Sequence, residues 1–390
     1  MEGARIALLT LYYPPEMFGN APLVRTVVRE FTERGAEVQI VTMPPHHRVD
    51  PTQKPFVPEG ASLHYVGNPR TARGVGGQLR NWWSFARGAA AWLEGEAPLI
   101  ALSVTPPFFL PAVLRKAVKR RGHRLIHWLQ DMYPAAIEVG ATPSPATRAL
   151  VARIVRKSLS VPDAIIAVTE DWLGDLANAL GVPEERVHVC ENWCGVELNG
   201  VGQGAHSNTR RLLFAGNVGR VADMQTVVKA LHLLDGEGWL LDICGSGAAV
   251  GELADLARPL GSRVCFHGEV SEAELGEYYG NASLGLVPLR KGASRASVPS
   301  KTYSYFACGL PVLTAVDEGS HFDRLVKSEG VGWCARAGDV EDVARALREA
   351  LSTPEPELTR RGALARRLYE QRYSPEVGAA RFADLVERLL

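Results

Sequence analysis

The sequence predicts an α/β protein built from two doubly wound, Rossmann-like halves. Three observations carry that expectation. Apolar runs of strand length alternate with helical patterns along the whole chain. The alternation stops at a polar, glycine-rich stretch, 200–209, and then starts again. Glycine-rich loops follow several of the strands. At 390 residues there is room for two domains of ordinary size. Residues 1–199 are expected to form the first domain, 200–209 a linker and 210–373 the second domain. Residues 374–390 are expected to form an amphipathic helix that packs back on the first domain.

In the first half the expected strands are 6–11, 38–42, 99–103, 125–128, 164–168 and 187–189. Between the first two, Val24, Val27, Val28 and Phe31 recur at i, i+3, i+4 and i+7, which predicts a helix with one buried face. The stretch 46–60 is too polar and proline-rich to pack and reads as a mobile surface loop. The second half is expected to form strands at 212–215, 239–243, 264–266, 284–287 and 311–314. Before the last of these, a short helix is expected to open at Pro299-Ser300-Lys301 and to stop at Gly309. A proline in the first turn followed by Ser-Lys-Thr aims free N–H groups and one ammonium at a single point, which is how a protein holds phosphate. An ordinary capped helix has the same pattern.

Composition narrows the function. An apolar fraction of 46% and a charged fraction of 22% describe a soluble globular chain. Cations and carboxylates balance at 43 each, so no net charge points to nucleic acid. No apolar run reaches the roughly 20 residues of a membrane span. Residues 1–5 lead straight into a strand without a leader pattern, and the six cysteines lack paired C-x-x-C spacing. A reducing, cytoplasmic setting with buried thiols is expected, although Cys190 and Cys194 could in principle share a metal.

Two such halves form a cleft between the carboxyl ends of their sheets, so residues just after strands are the candidates. Gly19-Asn20 follow the first strand and let the backbone approach a ligand; a plain turn fits equally. No G-x-G-x-x-G is present, which leaves a nicotinamide or flavin cofactor unsupported. Asp131 follows the strand 125–128, either capping a turn or accepting a proton from a substrate hydroxyl. The second half collects Gly216, Asn217, Gly219 and Arg220, then Gly245 and Gly247, then His267 and Val270, then Arg290 and Lys291, and finally Ser300, Lys301 and Thr302. The first half has no comparable set of cations at its strand ends. A phosphorylated ligand is therefore expected on the second domain.

Along nearly its whole length the chain resembles the family 4 retaining glycosyltransferases of GT-B fold, nearest the branch acting in O-antigen and exopolysaccharide (colanic-acid-type) assembly. The matching segments are LTLYYPPEMFGNAP (9–22), HWLQDMYP (127–134), ENWCG (191–195), FAGNVGR (214–220), ICGSGA (243–248), GLVPLRKG (285–292) and VPSKTYSYFACGLPVL (298–313). The resemblance implies transfer of a sugar from a nucleoside diphosphate, UDP favoured, with retention at the anomeric carbon. It implies an acceptor on the first domain and a nucleotide on the second. Gly19-Asn20 match a loop near the donor phosphates, Asp131 the position facing the reacting sugar or acceptor, and Gly219-Arg220 the loop gripping the diphosphate. Ser300, Lys301 and Thr302 match the phosphate-facing helix start. Lys301 and Arg220 would stabilise the leaving diphosphate. The family and the lack of a D-x-D both imply no obligatory metal and no cofactor beyond the donor.

One departure matters. The family's E-x7-E pair reads Ala296 and Ser304 here, where Ser304 could still reach a ribose hydroxyl, and the lysine often found after 220 is replaced by Val221-Ala222-Asp223. Those changes keep open a non-catalytic nucleotide-sugar binder, and the fold keeps open a nucleotide-sugar epimerase. On the acceptor side, 79–87 begins an amphipathic helix with Trp82 and Phe85 among its apolar residues and Arg80 and Arg87 seven apart. From 70 to 124 there are ten cations against Glu94 and Glu96. Such a face suits a glycan or lipid-linked acceptor and peripheral contact with the anionic inner face of the plasma membrane. A solvated basic helix would look the same.

Overall fold

The structure is a computed structural model. It describes residues 1–16, 19–46, 54–70, 74–139, 141–196, 198, 209–219, 221–234 and 238–390; Arg220, 200–208 of the expected linker and 47–53 of the expected loop lie outside them. Two units emerge. The first comprises Met1–Pro134, Pro143–Val196 and Pro375–Leu390, and the second Ala135–Thr142 and Glu197–Ser374.

The first unit holds strands β1 (Arg5–Leu9), β2 (Glu37–Thr42), β3 (Ala61–Tyr65), β4 (Ile100–Val104), β5 (Arg124–Leu129), β6 (Ala164–Ala167) and β7 (Val187–Val189). They form one sheet in the order β3-β2-β1-β4-β5-β6-β7, with every pair parallel. The second unit holds β8 (Arg210–Ala215), β9 (Trp239–Cys244), β10 (Val264–Gly268), β11 (Leu284–Pro288), β12 (Val312–Val316) and β13 (Gly332–Arg336), in the parallel order β10-β9-β8-β11-β12-β13. In each sheet the order reverses beside the first strand, so β1–β4 and β8–β11 are the switch points where post-strand loops diverge. Central strands are buried almost throughout and mostly aliphatic, as a sheet covered on both faces requires.

Two strands were not expected from the sequence. Both β3 and β13 are edge strands, and neither is an unbroken apolar run: β3 reads Ala-Ser-Leu-His-Tyr and β13 Gly-Trp-Cys-Ala-Arg. An edge strand needs cover on fewer sides, so its hydrophobic signal is weak. Residues 135–142 also depart from an uninterrupted first domain. Val139 packs against Leu289, Ala293 and Val316, which draws this segment into the second unit.

The helix Pro375–Arg388 lies on the helix Ala21–Glu33 within the first unit. Its Phe382 is fully buried, 4.3 Å from Trp128, 5.9 Å from Trp193 and 6.3 Å from Phe31 by ring centroids. The Trp193 indole N–H donates to Thr26 Oγ1 at 3.0 Å, so this aromatic cluster joins the loop after β7, the first helix and the last one. Phe382→Ala should therefore destabilise the first unit by about 3–5 kcal/mol, read as a lowered urea midpoint. An unchanged midpoint would remove the terminal helix from that unit's core.

Candidate functional site

In the second unit three loops meet at the ends of β8, β9 and β11. Gly216 follows β8 with φ +141° and donates its N–H to Cys244 O at 2.8 Å. Gly245 follows β9 with φ +145°, and a Cβ there would fall 1.9 Å from Gly216 O, so the two loops lie backbone against backbone. Only glycine allows that approach. Beyond them, the segment after Gly219 pairs with the end of β11: Asp223 N–H donates to Pro288 O at 3.2 Å and Arg290 N–H to Val221 O at 3.0 Å. Asp317 fixes the next turn by accepting from the N–H groups of Gly292 at 2.8 Å and Ser294 at 3.2 Å.

Lys301 opens the helix Lys301–Ala307. Its Nζ stands 4.2 Å above the Phe214 ring centroid, and a Cβ on Gly216 would come within 3.1 Å of its Cε and 3.3 Å of its Nζ. The residue keeps some exposed surface, yet its ammonium is enclosed enough that burial pulls the pKa from 10.5 down to about 8. No carboxylate among the described residues pairs with it. Tyr305, one turn later, fixes the helix. Its hydroxyl accepts from Ala215 N–H at 3.0 Å and lies 3.1 Å from Leu213 O, tying the helix to the end of β8. A second cation is similarly open: Arg290 Nε is enclosed and has no hydrogen-bond partner among the described residues.

Several expected site residues are placed differently from the sequence reading. Pro299 precedes the helix, and Ser300 is an exposed N-cap without a side-chain cap bond, so the helix start offers less than expected. Thr302 is fully buried, and its hydroxyl has no hydrogen-bond partner among the described residues. His267 has both ring nitrogens engaged. Nε2 lies 2.8 Å from Asp242 Oδ1 and Nδ1 2.9 Å from the Tyr278 hydroxyl, while Arg211 donates to Asp242 Oδ2 at 3.0 Å. Asp242, Cys265 and His267 offer ligand atoms within 4.8 Å of one another, the one grouping among the described residues that could hold a metal. Lys291 points into a shallow cavity with Asp317, Glu318 and Arg336. Asn217 and Gly247 are exposed and Gly219, Val270 and Ser304 half-buried, all near the strand ends. Ala296 is buried.

In the first unit, Asn20 Nδ2 donates to Thr105 O at 2.9 Å, which joins the loop after β1 to the end of β4. Gly19 holds φ +59° beside the Tyr12 ring. Asp131 follows β5, and burial raises its carboxyl from 3.8 to about 6. Burial raises the Tyr12 hydroxyl to about 12, with the charges of Glu16 and Asp131 adding to it. Burial also raises Tyr133, again helped by Asp131. Gln130 and Asn192 exchange two amide hydrogen bonds, of 3.0 and 2.7 Å, which brace the backbone beside Asp131. Below them His127 lies between Ser103 Oγ at 2.9 Å and Thr105 Oγ1 at 3.2 Å, and burial lowers it to about 4, so it stays neutral. Sequence reading missed Phe214, Tyr305, Tyr12 and His127. The one available signal was the four-residue spacing that puts Lys301 and Tyr305 on one helix face.

Two family models match the chain in tandem. A glycosyl transferase 4-like domain covers residues 18–193, and a glycosyl transferases group 1 domain covers 209–353. The chain belongs to the family 4 glycosyltransferases. Among curated relatives of this glycosyltransferase, Pseudomonas aeruginosa WbjE, named as a glycosyltransferase, is 29% identical over 45% of the chain and 44% of WbjE, so the match spans under half of that protein. WcaI of Escherichia coli (strain K12), named as a colanic acid biosynthesis glycosyl transferase, is 22% identical over 90% of the chain and 93% of WcaI. Sucrose-phosphate synthase from Thermosynechococcus elongatus shares the fold with TM-score 0.79 at 16% identity, covering 99% of each chain. Anabaena HepE, solved with UDP-glucose, shares it with TM-score 0.69 at 14% identity over 98% of this chain and 99% of its own. The glycosyltransferase is thus α/β with two parallel sheets, of the GT-B class.

The contact between Gly216 and Lys301 sets an expectation for this glycosyltransferase. Gly216→Ala should displace the ammonium and weaken UDP binding about tenfold, the loss of roughly one charge-assisted contact, by calorimetric titration. Unchanged affinity would show that Lys301 does not touch the nucleotide.

Proposed function

We propose that the protein moves a sugar from a nucleoside diphosphate sugar, with UDP as the nucleotide, to a hydroxyl of a glycan or lipid-linked glycan, retaining the anomeric configuration. The single observation that carries this reading is Lys301, an enclosed ammonium with no carboxylate partner among the described residues, set against a glycine at a strand end. A phosphate group bound there would supply the missing counter-charge. The open Nε of Arg290 supports the same reading, as does the UDP-glucose bound by Anabaena HepE. Arg220, outside the described residues, is proposed to share the role.

The chemistry asks little covalent work of the protein. The bond between the anomeric carbon and the diphosphate oxygen breaks while the acceptor oxygen bonds to that carbon on the same face. The departing phosphate oxygen takes the acceptor's proton. Lys301 and Arg290 stabilise the charge that develops on the diphosphate, as positioned cations do in a water-poor site. Asp131, as the carboxylate, accepts a hydrogen bond from a sugar hydroxyl and orients it. No step is assigned to a metal. A second reading rests on Ala296 and Ser304: a protein that binds the nucleotide sugar without turning it over.

Three arms separate these readings. UDP should raise the thermal midpoint through mass action, and UDP-sugar turnover should accompany it; a shift without turnover would select the binding-only reading, and no shift with UDP would remove both. Lys301→Ala should reduce transfer at least about tenfold, while Lys301→Arg should retain most of the binding.

The pH dependence follows from the two shifts. Asp131 is protonated below about 6 and Lys301 deprotonated above about 8. The transfer rate should therefore rise with pH through about 6 and fall above about 8. UDP binding near pH 8 should take up protons, because the phosphate favours the charged ammonium. Lys301→Arg should flatten the alkaline limb and Asp131→Asn the acid limb. A limb that persists in its variant assigns that titration elsewhere.

A further inference from the structure

The helix Gly74–Gly95 buries Trp82, Phe85, Ala86, Ala89 and Leu93 in the first unit. It leaves Val75, Leu79 and Trp83 outside, at 66%, 42% and 51% exposure. Trp82 and Phe85, expected among the apolar residues of this helix, lie in the core, and the exposed aromatic position belongs to Trp83. Residues 75, 79 and 83 are spaced by four, so they form one row along the helix, and Arg87 continues it. Arg80, one turn before position 84, stands beside the row. Both arginines are exposed, and neither has a carboxylate partner among the described residues. Single exposed aliphatics are ordinary, but an unbroken row ending in a tryptophan is not.

We propose that this row docks the protein on an anionic lipid bilayer, with Val75, Leu79 and Trp83 entering the boundary between headgroups and acyl chains and Arg80 and Arg87 reaching the lipid phosphates. The proposal rests on the reading of a lipid-linked acceptor above. Charge decides the occupant. A second copy docking face to face would oppose arginine to arginine, whereas anionic headgroups complement them. Tryptophan suits that boundary because its ring is apolar and its N–H can stay wet, and arginine stems lie along apolar surface with their heads outward. No helix among the described residues is long and apolar enough to cross a membrane, so the contact is with the surface. The row also leads inward. Trp83 lies 5.9 Å from Phe109, Phe109 5.3 Å from Phe108, and Phe108 4.6 Å from Tyr133, two residues from Asp131. Packed aromatic rings therefore link the exposed row to the surroundings of the candidate carboxylate.

Vesicle co-sedimentation of the full chain tests this. The protein should sediment with phosphatidylcholine vesicles containing about one-third phosphatidylglycerol, much less with phosphatidylcholine alone, and less again as salt rises. The triple variant Val75→Ser, Leu79→Ser, Trp83→Ser should bind at least about tenfold more weakly, and Arg80→Gln with Arg87→Gln about fivefold more weakly at low salt. None of the five side chains is buried, so thermal melts of both variants should match the wild type. Equal binding by the triple variant, or no binding of the wild type to anionic vesicles, overturns the proposal. So does a wild-type dimer in sedimentation velocity that the triple variant abolishes, which would give the row to a second copy. UDP binding on the same samples separates the two readings. Wild-type protein that binds UDP but not anionic vesicles sinks only the docking surface, and wild-type protein that binds vesicles but not UDP sinks the transferase reading.

Discussion

The Lys301 ammonium is held over an aromatic ring, against a glycine and without a carboxylate, and the local architecture of the second unit is arranged around that condition. A cation taken from water into such a place is destabilised unless something compensates it. The Phe214 ring compensates in part through its negative face. The remainder appears as a pKa pulled down to about 8. Room for the ammonium exists because residue 216 lacks a side chain, and the loop bearing Gly216 keeps its course because Gly245 lets the next loop press against it. Tyr305 then fixes the helix through backbone groups of β8, which sets the height at which Lys301 stands. Each of these residues acts on the same few atoms, so their effects should couple strongly and not add.

The first unit applies the same physics with the opposite sign. Asp131 is a carboxyl among aromatic neighbours, and burial moves it up to about 6, toward its neutral form. Both groups are thus held close to losing their charge in the free protein, and both regain it when a ligand supplies the complementary partner. Neighbouring titratable groups are kept out of the way. His127 is neutral between two hydroxyls, and Tyr12 and Tyr133 are raised far from physiological pH.

The polar network around Asp242 is a different kind of construction. Arg211 and His267 satisfy its buried carboxylate, and the Tyr278 hydroxyl in turn holds the other nitrogen of His267, on one face of β8, β9 and β10 and their neighbouring helix. Its members complete one another, so it stiffens the sheet edge beneath the loops that carry Gly247 and Val270. A histidine after a strand is a reasonable candidate for ligand binding when only its neighbours in sequence are visible. Its partners, 25 and 11 residues away, take up both nitrogens.

The sequence by itself determined the α/β class, the central strands, the glycine loops after them and the position of Lys301 at the start of a short helix. Those features are local: an aliphatic run, a residue that tolerates positive φ, a charge at a strand-to-helix junction. It could not determine β3 and β13, because neither of these edge strands carries a continuous apolar pattern, nor the burial of Thr302, nor which of Trp82 and Trp83 faces out. Helical periodicity says which residues share a face, but what covers that face comes from chain far away in sequence. The tertiary structure alone decided that Phe214 lies beneath the ammonium, that Tyr305 fixes its height and that no carboxylate among the described residues meets it. Burial and pairing are sums over neighbours that only folding brings together, and those sums set the charge on Lys301 and Asp131.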